Sequence, residues 1–462
     1  MKEVKKLLVV LVAAVFFIGL FVLCDKYSEN VKADYASQIN PSIVNQGSSG
    51  TGSKGQTVDA GQLSVEKMVQ NMVTKDYSAS VTLAAAGDIL CQQSVLEKAY
   101  NSDSEKFDFS DDFQYVKDLF LTSDYAVATL KTTLAGKYNG SSDEYYGYTT
   151  EDSNYNSPEV LADNLKSAGI SLVNIATNHA LDSDAAGLVS TIGYLDQAGL
   201  VHVGAAATAD GSTDYTQNVG GVNIGFIGYT NSSNGYSLDS DAECVLNTLN
   251  DYDAQSIETL CNRVSAMKDE TDLVVVMLNF GSVESDSIET DQQALAQKLC
   301  DAGADLILGT GSRVMKPVEK LSSEDETGQS TRSCLVLYGM GALLSGETYA
   351  SSEKDTDISA VFDFNITRND FGETAIQSFT VTPVYLNWYN DAIQPIPVCE
   401  AKDTDKYAEM LDDNAMDRIN SAYEGTITHL LDGSGLTWSV FLFGQIPFPT
   451  QCRVRIYVQW WS

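Results

Sequence analysis

The sequence predicts a layered α/β domain carried on an N-terminal membrane anchor and a flexible stalk. Three observations lead there. An uncharged apolar run fills residues 7–24, a Ser-, Gly-, Gln- and Asn-rich stretch follows it, and from residue 81 short apolar runs alternate with amphipathic ones. Apolar runs of strand length, separated by segments with a helical apolar period, describe sheets covered by helices.

The anchor, residues 1–24, opens with Lys2, Lys5 and Lys6 and continues as LLVVLVAAVFFIGLFVLC. That run is close to the roughly 20 residues that cross a bilayer. Basic residues ahead of it leave the N-terminus in the cytoplasm and place the body outside. A cleaved leader ends in small residues, whereas here Phe21-Val22-Leu23 lead into Cys24. The expected localisation is the cell membrane, single-pass, with an extracytoplasmic body. Residues 25–77, containing QGSSGTGSKGQ, cannot bury enough apolar surface to fold alone and read as a linker, with one short helical pattern at 63–73.

The body, residues 78–400, begins with strand-like VTLAAA (81–86) and helix-like FQYVKDLFL (113–121). DYAVATL (124–130) precedes PEVLADNLKSAG (158–169), and SLVNIAT (171–177) precedes AAGLVSTIGYLDQAG (185–199). VNIGFIGYT (222–230), DLVVVML (272–278), ADLILG (304–309) and SCLVLYG (333–339) are further strands, with a helix at DQQALAQKLCDAG (291–303). AVFDFNIT (360–367) and AIQSFTVTPVYL (375–386) have no helix between them and predict an antiparallel pair. Residues 401–462 read as a C-terminal extension. Its last 29 residues carry two arginines, no acid and three of the four tryptophans.

Sixty-three acids against 28 Lys plus Arg give a formal net charge of −35. Such a surface repels nucleic acid and anionic lipid at long range, so binding driven by phosphate contacts, nucleic acid above all, is not expected. The eight cysteines are scattered, without CxxC pairs or metal-finger spacing, and predict no disulfide framework. Neither a GxSxG turn nor a phosphate-binding Walker loop occurs, and no GxGxxG joins a predicted strand to a helix as a dinucleotide fingerprint does.

Chemistry in open α/β sheets gathers at the carboxyl ends of strands. Three predicted ends are polar: Gly87-Asp88, Asn178-His179 and Asn279. Carboxylate, amide oxygen and imidazole are ligands of divalent metals. Each alone has a plainer explanation, because Gly-Asp is a frequent turn and a single histidine often hydrogen-bonds within a core. Of the other histidines, His202 reads as a solvated loop residue and His429 has no evident partner.

Further segments fall in a fixed order: Gly87-Asp88-Ile89-Leu90, ATLKTTLAG with Lys131, Thr177-Asn178-His179-Ala180-Leu181-Asp182, AGLVHVGAA, Asn279-Phe280-Gly281, QQALAQKLCDAGADLILGTGSR and LYGMGALL. Over residues 82–383 this order resembles the CapA-type family of capsule and poly-gamma-glutamate synthesis proteins, whose domain is similar to calcineurin-like metallophosphatases. The resemblance implies a four-layer α/β/β/α sandwich and a two-metal site drawing on Asp88, Asn178 and His179. It also implies an acidic residue where Lys131 stands, a histidine where Asn279 stands, and the histidines of a GHxH motif within the stretch Thr310-Gly311-Ser312-Arg313, with Arg313 near the final ligand. Two of these departures bring positive charge to the place of the metals.

Lys131 and Arg313 are therefore expected to replace the metals by pairing with Asp88, whose buried charge needs a partner. The alternative is that both point to solvent. Asp182 is expected to orient the His179 ring, as carboxylates do for metal-ligating histidines. The resulting expectation is a degenerate site without cofactor, in a non-catalytic component of polymer synthesis, export or anchoring. Its partners would be the membrane and an anionic polymer or polymer-synthesis proteins. Two alternatives remain: a weak hydrolase of phosphoester or amide bonds with one divalent metal on Asp88, Asn178 and His179, and a ligand-binding sensor.

Overall fold

The computed structural model describes residues 79–137, 144–145, 147–151, 154–281, 284–324, 330–389, 392–432, 434 and 454–457. All lie in one compact unit, Lys75–Ser462. The expected anchor (1–24) and linker (25–77) lie outside the described residues, and no described helix is long and apolar enough to cross a membrane.

Along the chain run β1 (Ala79–Ile89), β2 (Tyr125–Leu130), α1 (Val160–Ser167), β3 (Leu172–Asn174), α2 (Asp184–Ala198) and β4 (Val201–Val203). Next come β5 (Asp214–Val219), β6 (Val222–Thr230), α3 (Ala254–Glu270), β7 (Leu273–Asn279), α4 (Thr290–Ala302), β8 (Leu306–Thr310), β9 (Val318–Glu324) and β10 (Ser330–Leu337). The chain closes with β11 (Ala342–Leu344), β12 (Ile358–Arg368), β13 (Thr374–Tyr389), β14 (Ala392–Pro397), α5 (Asp413–Leu431) and β15 (Val454–Tyr457).

Two sheets result. One has the order β14-β13-β12-β1-β2-β3-β4, with β11 also on β1 and β15 also on β13; the other has the order β5-β6-β7-β8-β10-β9. Strands β1 to β4 are mutually parallel, as are β6, β7, β8 and β10, while β12 and β13 pair antiparallel as their helix-free sequence predicts.

Alternation along the strands sorts side chains into three apolar layers. Val81, Leu83 and Ala85 of β1 share one cluster with Phe226, Val275, Met277, Leu306 and Leu308 of the second sheet, so this cluster lies between the sheets. Ala84 and Ala86 point the other way, to Leu161 and Leu165 of α1 and Leu188, Ile192 and Leu195 of α2. Val274, Val276 and Ile307 meet Leu260 and Val264 of α3 and Leu295 and Leu299 of α4. The order is helix, sheet, sheet, helix.

The helices α3 and α5 were not evident in the sequence. Both start at an aspartate whose carboxylate accepts an N–H of the first turn: Asp253 from Ser256 at 3.0 Å and Asp412 from Ala415 at 2.8 Å. Ile419, Ala422 and Leu430 of α5 join the core between the sheets. The body therefore runs past residue 400, because the inter-sheet core needs α5 to close it.

Asp112 illustrates a cost of this packing. It is buried, its Oδ1 accepts the Ile393 N–H at 3.3 Å, and its Oδ2 has no hydrogen-bond partner. Burial, reinforced by the charges of Asp111 and Asp108, holds its carboxyl well above the usual carboxylate range. The folded state thus keeps a proton that the unfolded chain releases, and stability falls as pH rises from the ordinary aspartate value through the raised one. Asp112→Asn should remove this slope, gaining about 1–2 kcal/mol at pH 8 and almost nothing at pH 4; urea unfolding at the two pH values checks it.

Candidate functional site

Asp88 is at the carboxyl end of β1, and Gly87 is what lets it sit there. A Cβ on Gly87 would fall 1.9 Å from the Gly341 carbonyl oxygen, the group that accepts the Asp88 N–H at 3.1 Å. Opposite Asp88 in β2 is Thr129, so Lys131 emerges just past the adjacent strand end. The Lys131 Nζ donates to Asp88 Oδ2 at 3.4 Å and to the Gly311 carbonyl at 3.2 Å, while the Gly311 N–H donates to Asp88 Oδ2 at 3.0 Å. Both charged side chains are fully buried.

Gly311 follows β8, so this small network ties the carboxyl ends of the two sheets together. Its φ of +99° suits glycine, and a Cβ there would meet the Asn279 amide oxygen at 2.9 Å. Burial lowers the Lys131 pKa; the Asp88 charge opposes that shift and Arg313 adds to it. Oδ1 of Asp88 and both amide atoms of Asn279 are buried without a hydrogen-bond partner. Thr310 aligns with Asn279 across β7 and β8 and places its hydroxyl 3.5 Å from that of Thr129.

Arg313 does not join Asp88. It has a left-handed backbone, φ +63°, and its Nη1 donates to Glu347 Oε1, which also accepts from Gln92 Nε2 at 3.0 Å. The expectation of two cations on Asp88 is corrected to one. Each basic group has its own carboxylate, an arrangement that avoids holding two cations on a single buried acid.

His179 belongs to a loop network. Its Nδ1 is 2.7 Å from Asp182 Oδ2, which also accepts the Tyr155 N–H at 2.6 Å, and its ring packs on Tyr155 with centroids 4.5 Å apart. Burial raises the Asp182 carboxyl, and the His179 hydrogen bond opposes this. The Asn178 Nδ2 donates to Asn234 Oδ1 at 3.1 Å, while its own Oδ1 is buried without a hydrogen-bond partner. His202 is not a solvated loop residue: it sits in β4 with Nε2 3.7 Å from Asp196, and burial lowers its pKa. His429 lies on α5, its Nε2 3.0 Å from the Met315 carbonyl oxygen.

The two-metal site implied by the sequence resemblance does not fit these side chains. One Asp88 oxygen, Oδ2, is held by an ammonium and an N–H, and any divalent cation on the other, Oδ1, would stand beside the buried Lys131 ammonium and meet strong repulsion. Among the described residues no group of three His, Cys, Asp or Glu side chains is arranged to hold a metal. Sequence reasoning named Gly311 only within the stretch that replaces the family's histidines, and it missed Glu347 and Gln92. Glu347 follows the strand of LYGMGALL by three residues, and that strand end was the available signal.

Residues 82–347, more than half of the chain, match the family described as "Bacterial capsule synthesis protein PGA_cap". The chain is 26% identical over 317 residues to the PGA biosynthesis protein CapA of Bacillus subtilis (strain 168), covering 67% of this chain and 73% of that one. It is 27% identical over 245 residues to the capsule biosynthesis protein CapA of Bacillus anthracis, covering 51% and 55%. Solved structures similar to it include the calcineurin-like phosphoesterase YfkN from Bacillus subtilis, at 12% identity and TM-score 0.40 over 76% of this chain and 98% of that one. Another is the NAD nucleotidase of Haemophilus influenzae, at 11% identity and TM-score 0.41 over 76% and 64%. With the family matched across the strands that build the cleft, the chain belongs to the bacterial capsule synthesis protein PGA_cap family.

Proposed function

We propose that this protein is a membrane-anchored, extracytoplasmic and non-catalytic component in making, exporting or anchoring a capsular or poly-gamma-glutamate-type polymer. The biological setting comes from the two CapA relatives, named for PGA and capsule biosynthesis. The non-catalytic role rests on one observation: the buried Lys131 ammonium on Asp88. A two-metal hydrolase lowers the pKa of a bound water between its cations, and here a fixed amine takes that ground without supplying a Lewis acid. The partners on this reading are the membrane, through residues 1–24, and an anionic polymer or the proteins that make it. Because Lys131 and Arg313 are each matched by a carboxylate, protein partners account for the cleft better than a polyanion does.

A second reading has one observation behind it. Asp182 on Nδ1 leaves Nε2 of His179 as the ring nitrogen open to a ligand, the orientation seen in metal-binding histidines. A weak hydrolase would then use one divalent metal on Asp88, Asn178 and His179. Elemental analysis of the purified protein after equilibration with manganese, zinc and iron separates the readings. We expect well under one metal per chain. Stoichiometric metal that is lost in His179→Ala would overturn the non-catalytic role and favour the hydrolase.

A further inference from the structure

Away from the cleft, a groove of about 760 Å³ is lined by the C-terminal half of β13, the start of α5 and the short helix Tyr349–Ser352. Its walls are aromatic. Tyr349, Tyr385, Trp388 and Tyr389 line it, and Tyr349 and Trp388 are 44% and 37% exposed. Its charge is negative: Asp357, Glu409, Asp412 and Asp417 accompany a single base, Arg418.

One wall already holds a cation in this manner. The Arg418 guanidinium lies 4.3 Å from the centre of the Tyr349 ring and pairs with Asp355 and Asp357 at 2.6 Å. Those contacts neutralise Arg418, and Asp412 is engaged in capping α5. Glu409 and Asp417 stand exposed on the rim. The Tyr385 hydroxyl is pushed up to about 12, mainly by burial and then by the Asp357 charge.

Carboxylates and aromatic faces together favour an ammonium or guanidinium twice over, by Coulomb attraction and by cation–π contact. They repel anions. The volume lies in the range of sites that take ligands much larger than one ammonium head, so it suits several side chains of an extended segment. We propose that this groove docks a lysine- or arginine-bearing segment of a partner polypeptide. The assignment is independent of the cleft and goes beyond the function proposed above.

The test titrates an N-acetylated, amidated Gly-Arg-Gly-Arg-Gly-Arg peptide into the full-length protein in non-ionic detergent, read by calorimetry at about 0.15 M salt. We expect saturable binding at one site, weakened about tenfold or more by Trp388→Ala, retained by Trp388→Phe, and weakened by Glu409→Gln with Asp417→Asn. The paired rim changes are on exposed residues and leave the melting curve unchanged. A chain of net charge −35 attracts any polycation diffusely. Binding that salt abolishes but Trp388→Ala leaves intact would therefore overturn the site. Spermine binding as tightly as the peptide, with the same dependence on Trp388, would overturn a polypeptide as its occupant.

Discussion

Lys131→Ala will destabilise the protein by about 3–5 kcal/mol, the usual cost of leaving a buried carboxylate without its counter-charge. Lys131 and Asp88 are 3.4 Å apart with neither side chain exposed, and the remaining donor to Asp88 Oδ2 is the Gly311 N–H. At an effective dielectric constant of 20 the attraction at this distance is about 5 kcal/mol, which the desolvation of two ions largely offsets. The intact pair thus adds little net stability, while half of it is costly. Lys131→Met with Asp88→Asn should consequently recover most of the loss. Urea unfolding of the single and double variants checks both outcomes. A single-variant loss below about 1 kcal/mol would mean that the two groups are not paired in solution.

Gly87→Ala is the second large effect. The new methyl would have to occupy a point 1.9 Å from the Gly341 carbonyl oxygen and 2.9 Å from its carbon, both backbone atoms that no rotamer change can clear. Relief requires parting β1 from β11, which breaks the Asp88 N–H bond to Gly341 and moves Asp88 off Lys131. We expect a loss of about 3 kcal/mol or more, the upper range for overpacking. Gly193→Ala is the control. It sits within α2 with nothing within 4 Å of the added carbon, so alanine should gain about 0.5–1 kcal/mol from helix propensity. Opposite signs for the same substitution, measured by unfolding midpoints, would show that contact at Gly87 decides the result.

Much of the layered fold was legible because its strands are buried on both faces. β6, β7 and β8 are almost unbroken apolar runs, and α2 and α4 follow glycine-punctuated helical patterns, so neither depends on distant partners to be recognised. β3 was overextended: SLVNIAT reads as a seven-residue strand, yet the regular part is Leu172–Asn174. The Asn174 side chain explains the stop, since its Oδ1 accepts the Ala176 N–H at 3.0 Å and turns the backbone out of the ladder. α3 and α5 were missed because their buried positions are thinly spaced among polar residues, and their apolar face has meaning only once a sheet covers it.

At the site, the residue types and their order along the chain came from sequence: an acid at one strand end, a histidine with Asp182 three residues on, and basic residues at two places where the family resemblance implies ligands. Sequence could also say that a buried carboxylate needs a counter-charge, because that follows from solvation alone. Which cation supplies it was decided by tertiary structure. Lys131 and Arg313 carry the same charge, but only Lys131 leaves a strand adjacent to β1, while the left-handed turn at Arg313 directs it to Glu347. That choice depends on distances between segments more than 40 residues apart, fixed by strand register and by the meeting of two sheets at Gly311.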